Sequence, residues 1–381
     1  MATAVVGDRK RSVILLLVIQ EFCDETETEI VLNQGRNNTS LVGQFFCSQE
    51  SRKSSVNRIQ NYVEEVIPLY NDVSFASHFR MQPRSFEELC KVLAPHVHAE
   101  RGVTLKTKVL STLWLLGNQE SYRSVADRFN MSKGSLHLHV LNTCHALETV
   151  MPSFISFPQP AEYHHIAASC MKRCGFPGVV GIVDGTHIPI PGPSVNRDSY
   201  INRKGFPSMH LQVVADHSLQ FRDIYTGYCG SVHDSRVFKN SDIGQLLSQG
   251  HLPEEYHLIG DTAYPLTLYL MTPYRDNGHL SPEEKHYNNA LSRTRADVER
   301  SIGRLKGKFR RLKYLDMVLL HAIPMVIAAC CVLHNFILQH EPGDDEEFDG
   351  EVQEPPVPPS VLEIPSSAAT HKRHNLTYLI P

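Results

Sequence analysis

Two different rhythms of apolar and polar positions run along this chain. From residue 56 to about residue 160 the period is helical. Ser85 is placed as the N-cap of a helix carrying Phe86, Leu89, Val92 and Leu93 on one face, with Glu87 and Glu88 in its first turn. A second helix is expected over residues 105–116, around the only tryptophan, Trp114. Two more, over residues 122–129 and from a Ser132 cap through Leu136, Val140 and Cys144, are joined by a short turn. From about Gly178 the pattern changes to strands. VVGIVDGTHIPI (179–190) is an apolar run read as ending in an acid and a glycine, and YHLIGDTAY (256–264) is another closing on an acid. Between them, residues 209–230 read as a hairpin turning at Asp216-His217-Ser218. Helical segments follow at 291–314 and 322–339.

This order predicts an α/β (α+β) fold in four parts. Residues 1–55 are an unassigned extension, and residues 56–160 a helical domain with a helix-turn-helix-like segment. Residues 161–340 form the strand-bearing core. Residues 341–381 are read as an acidic, proline-rich disordered tail, on the strength of EPGDDEEFDGEVQEPPVPPS at 341–360.

Composition narrows the function. With 41% apolar and 20% charged residues over 381 positions, the chain is of the soluble globular type. A formal charge of −4 argues against wholesale coating of nucleic acid but leaves room for local basic surface. The nine cysteines are scattered, without zinc-finger spacing, which suits reduced thiols. The apolar run at residues 13–19 is far short of the ~20 residues a membrane span needs, and reads as a buried helix or strand.

The chemistry is signalled by where acids fall. Asp184 and Asp261 stand at strand ends, Asp234 follows the hairpin, and Glu299 lies on a helix whose apolar stripe is Val298, Ile302, Leu305 and Phe309. A stripe spaced four, three and four residues apart packs on a sheet, which brings Glu299 toward the strand ends. Any one such acid alone is more often a turn residue or a cap. Together they can converge, and converging carboxylates repel unless divalent cations such as Mg²⁺ or Mn²⁺ join them. Paired cations of this kind serve phosphodiester cleavage.

GIVDGTHIPI, YINRKGFPSMHLQVVAD, GSVHDSRVF, LIGDTAYPL and RTRADVERSIGRLKGKFRRLK together resemble the PIF/Harbinger transposases and the nucleases derived from them, over residues 72 to 339. The resemblance implies a ribonuclease-H-like DDE core with Asp184, Asp261 and Glu299 as catalytic acids, and adds Asp234 as a further metal ligand. It also implies loss of transposition, a nuclear and cytoplasmic location, and a separate Myb-like DNA-binding partner.

DNA is the expected substrate. In the helix-turn-helix-like segment, Lys133, Ser135, His137 and His139 would face phosphates or base edges; the alternative is a plain helical hairpin supporting the core. Arg293, Arg295, Arg300, Arg304, Lys306, Lys308, Arg310, Arg311 and Lys313 crowd the helix of Glu299, and Arg197, Arg203 and Lys204 form a smaller basic group. His187 and His233 adjoin acids and could orient a ligand. Two function classes remain: a cation-dependent DNA endonuclease, and a DNA-binding scaffold that keeps the fold without cutting.

Overall fold

The computed structural model describes residues 57–97, 102–343 and 365–381. The run at 13–19, the rest of the expected N-terminal extension, and residues 344–364 of the tail lie outside the described residues. The chain divides into two compact units. One takes the chain up to Ala146 with Val318–Ala322; the other takes Leu147–Met317 and Ile323–Pro381. The division therefore falls at residue 146, inside a helix, rather than at 160.

The first unit is helical: α1 (Asp72–Phe79), α2 (Pro83–Leu93), α3 (Leu105–Gly117), α4 (Tyr122–Arg128) and the first part of α5 (Lys133–Val150). Its core is built on Trp114. His78 stacks on the indole at 4.9 Å, the Arg128 guanidinium lies over it at 4.3 Å, and Phe79, Tyr62 and Phe129 meet it edge-on. The expected cap of α2 is corrected. The helix starts at Pro83 with Gln82 as N-cap, and Ser85 is a buried residue within it. Proline's fixed φ and missing N–H suit the first helical position, so it overrides the serine signal. Between α4 and α5 the chain turns through Asn130 at φ 51°, and Ser132 Oγ accepts from the Ser135 N–H at 3.0 Å, as a cap should.

The second unit contains α6 (Pro160–Cys174), β1 (Val179–Pro189), the short α7 (Arg197–Tyr200), β2 (Ser208–Ala215), β3 (Phe221–Cys229), α8 (Asp234–Asn240), α9 (Asp242–Ser248), β4 (His257–Ile259), β5 (Leu270–Met271), α10 (Pro282–Lys308), α11 (Ile323–His340) and α12 (Ser367–Leu379). The strands form one mixed sheet in the order β3-β2-β1-β4-β5; β1 is antiparallel to β2 and parallel to β4. That is the ribonuclease-H-like topology anticipated above. The hairpin turn is held by Asp216, whose side chain accepts from the N–H groups of Ser218 and Gln220 and from Arg222 Nε.

Strand alternation sorts the sheet's two faces. Val183, paired with Val214, joins Phe238 of α8 and Ile243 and Leu247 of α9 in one apolar cluster. Asp184 and Thr186 point the other way, to α10, where Arg295 reaches Asp184 and Lys306 Nζ donates to Thr186 Oγ1 at 2.7 Å. Helix α10 begins nine residues before its apolar stripe suggested, because Ser281 and Glu284 form a reciprocal capping box ahead of Pro282.

The tail is corrected over its last part. α12 is ordered against the core: Arg373 lies over the Tyr274 ring at 4.0 Å, and Lys372 Nζ donates to the carbonyls of Tyr256 and Leu268. The acidic composition that argued for disorder belongs to residues 341–360, whereas Ala369, Leu376 and Ile380 are buried.

Asn335 ties α11 to the sheet edge. It accepts from the Phe221 N–H and donates to the Phe221 and Phe154 carbonyls, all within 2.8 Å. Asn335→Ala leaves those buried backbone groups unpaired and is expected to destabilise the protein by about 2–4 kcal/mol, read from urea unfolding; a loss near zero would contradict this role.

Candidate active site

Four segments bring the acids together. β1 carries Asp184, but in mid-strand rather than at a strand end. Pairing with β2 continues to Pro189, while the parallel partner β4 stops opposite Ile182. Asp184 therefore stands where β1 loses its parallel neighbour. Asp261 lies two residues beyond β4, as the sequence suggested, and its carboxylate accepts from the Ala263 N–H at 2.9 Å. Asp234 is the first residue of α8, and Glu299 projects from α10.

One guanidinium links three of them. Arg295 Nη2 is 3.3 Å from Asp184 Oδ2 and 3.7 Å from Glu299 Oε1, and its charge also acts on Asp261. Arg295 and Asp184 are largely buried, their side chains 18% and 17% exposed, so the attraction is only partly screened. Arg295 counted among the basic residues of its helix, read as facing phosphates; here it balances the acids. The signal was present in the sequence, since Arg295 precedes Glu299 by one helical turn.

The acids are not equivalent. Burial pushes the Asp184 carboxyl up to about 7; Arg295 opposes this, and the charges of Asp261 and Asp234 add to it. Burial likewise raises Asp261. Burial is the largest influence on Asp234 and would raise it too, but a 2.6 Å hydrogen bond from His210 Nε2, together with the charges of His210, His187 and Arg203, holds that carboxyl below its ordinary value. His210 was missed by the sequence reading, because only strand register places it beside His187 and toward Asp234. Space for the pair depends on Gly185: a Cβ there would lie 2.7 Å from Asp234 Oδ1 and 2.8 Å from His210 Nε2. Tyr264, also missed, is buried near Asp234, Asp184 and Asp261.

The donor chemistry suits a hard divalent cation, since all four groups are carboxylates, the charges of Asp261 and Asp234 raise Asp184, and that of Asp234 raises Asp261. In the arrangement described, however, Arg295 and His210 engage these oxygens. Among the described residues no three His, Cys, Asp or Glu side chains are set around one point.

The expected DNA contacts divide. Lys133, Arg203, Lys204 and Arg300 are exposed, and Arg203 is close enough for its charge to act on Asp234 and Asp261. His137, Arg304 and Lys308 are buried, which corrects their placement against phosphates. Residues 301–309 of α10 are buried without a break, so that stretch has no solvated face, and α5 buries His137 and His139 along with Leu136 and Val140. Arg300 is paired with Asp297. His187 bonds Ser208 through Nδ1, and His233 is exposed at the N-cap of α8.

A family model described as DDE superfamily endonuclease matches residues 183–335, and one described as a domain of unknown function (DUF8040) matches residues 54–149. The human protein named "Putative nuclease HARBI1" is 30% identical over 288 residues, covering 72% of this chain and 80% of its own length. The chain belongs to the Harbinger transposase-derived nuclease family. The rat relative of the same name matches to the same extent, and "Protein ALP1-like" of Arabidopsis thaliana is 26% identical over 294 residues, 70% of this chain and 71% of its own. No solved structure matches the chain. The family match spans β1 to α11 and so encloses all four acids.

The raised Asp184 carboxyl has a consequence for stability. Between the unfolded value near 4 and the folded value of about 7, the native state keeps a proton that the unfolded chain has released. Stability of the cation-free protein therefore falls as pH rises through that window, and the cost is fully present above 7. Asp184→Asn removes it. Cation-free Asp184→Asn is expected to match wild type near pH 4 and to exceed it at pH 8 by about 2–4 kcal/mol. Denaturant unfolding across pH checks this, and a gap that does not widen with pH would refute it.

Proposed function

We propose that the protein is a divalent-cation-dependent endonuclease that hydrolyses DNA phosphodiester bonds without retaining transposition. The observation that carries this reading is the gathering of Asp184, Asp261 and Glu299 on Arg295, with Asp234 electrostatically coupled to the two aspartates. Partly buried aspartates held with the more exposed Glu299 around one arginine store repulsion that Mg²⁺ or Mn²⁺ would relieve. Asp184, Asp261, Glu299 and Asp234 are the residues that would hold the cation. A bound cation supplies an activated water and charge stabilisation at the leaving oxygen.

The chain's own groups divide the remaining work. Asp184 must release its proton to act as a ligand, which favours activity above neutral pH. His210 keeps Asp234 ionised and fixed in direction. Arg203, whose charge reaches Asp234 and Asp261, and the adjacent exposed Lys204 suit the phosphate backbone. As the Harbinger resemblance implies, choice of DNA target falls to a separate Myb-like partner, and action on DNA implies a nuclear pool.

One observation favours the second reading, a DNA-binding scaffold that no longer cuts: Arg295 already engages the acids, and among the described residues no three donors close around a point. Cleavage of plasmid DNA in Mg²⁺ or Mn²⁺ decides between them. Wild type is expected to cut. Asp261→Asn is expected to lose at least about 100-fold, the upper end of what losing even an outer partner of a metal site costs. Equal cutting by both would overturn the site, and DNA binding without cutting by either would favour the scaffold.

A further inference from the structure

At Tyr264, near the acids, burial and hydrogen bonding disagree. It is 5% exposed, and its phenolic oxygen is buried without a hydrogen-bond partner. Its position follows from three neighbouring segments. The ring lies against Gly260, whose Cβ would meet it at 3.0 Å; Gly260 precedes Asp261 and also faces Val183, which precedes Asp184. On another side the ring meets Phe238 edge-on at 5.7 Å, one turn along α8 from Asp234. The ring thus sits at the junction of the three segments that bear the aspartates.

Packing explains the ring and not the hydroxyl. Phenylalanine would fill the same place beside Val183 and Phe238 without burying an O–H that has lost its water. The three aspartates around it raise the phenol's proton affinity well above the ordinary value, on top of burial, so the group is a neutral donor at any working pH. Donors of this kind beside ligand carboxylates fix the direction of the ligand oxygen.

We propose that Tyr264 is a positioning residue of the acid site, its phenolic O–H donating to one of the aspartate carboxylates when a divalent cation is held there. The proposal rests on the cation-dependent reading above. It names a function for a side chain that neither the motif series nor Arg295 accounts for.

The test is Mn²⁺ binding to the full-length protein by calorimetry at pH 8, with thermal melts in the absence and presence of Mn²⁺. Tyr264→Phe keeps the ring. It is expected to melt at or above the wild-type temperature without Mn²⁺, and to bind Mn²⁺ about 10–100-fold more weakly. Asp261→Asn serves as the variant that loses a ligand outright. Wild-type Mn²⁺ affinity in Tyr264→Phe, with binding lost in Asp261→Asn, overturns this proposal alone. A fall in affinity that comes only with a lower cation-free melting temperature assigns Tyr264 to packing and also overturns it. Wild type that fails to bind Mn²⁺ overturns the cation-dependent reading, and this proposal with it.

Discussion

Asp184, Asp261 and Glu299 are tolerable as neighbours because one guanidinium stands among them. Arg295 is the positive charge on which the site depends. Asp184, Asp261 and Glu299 approach it from a strand interior, a strand end and a long helix, and the charges of Asp261 and of Asp234, on a short helix, act on Asp184 as repulsion that works against folding. The scaffold is arranged around that conflict. α10 is held to the sheet by its buried second half and by Lys306 on Thr186, so Arg295 and Glu299, one turn apart, are delivered to β1 as a unit.

The same constraint explains why the aspartates differ. Asp234 sits on the other side of the β1–β2 ladder with His210 as its partner, and it stays ionised. Asp184 shares its arginine and carries the proton that the group as a whole retains. Gly185, next to Asp184, leaves room for Asp234 and His210, as only a residue without a Cβ can. An acid that keeps its proton in the resting protein and releases it to a cation couples ligand binding to pH.

Much of this was legible in the sequence. Motif order and the acids at Asp184, Asp261 and Glu299 give the core, because acids within or just after apolar strands and an apolar helical stripe leave local signatures. The hairpin was equally plain from its Asp216 turn. Four things were not. The extent of β1 beyond Asp184 depends on pairing with β2, which no local pattern records. The roles of His210 and Tyr264 depend on register and on the junction of distant segments. Burial of Arg304, Lys308 and His137 reversed an expectation drawn from charge alone, since a basic residue's type does not report whether its helix has a solvated face. The tail helix α12 was hidden by averaging an acidic segment with an apolar one.

The proposed divalent-cation site lies among the acids around Arg295. It is tested most directly by anomalous diffraction from crystals of the protein grown with Mn²⁺. The account expects Mn²⁺ peaks bounded by Asp184 and Asp261, with Glu299 or Asp234 completing the ligands. Saturating Mn²⁺ with no peak at these acids, or with peaks only elsewhere on the protein, would contradict it.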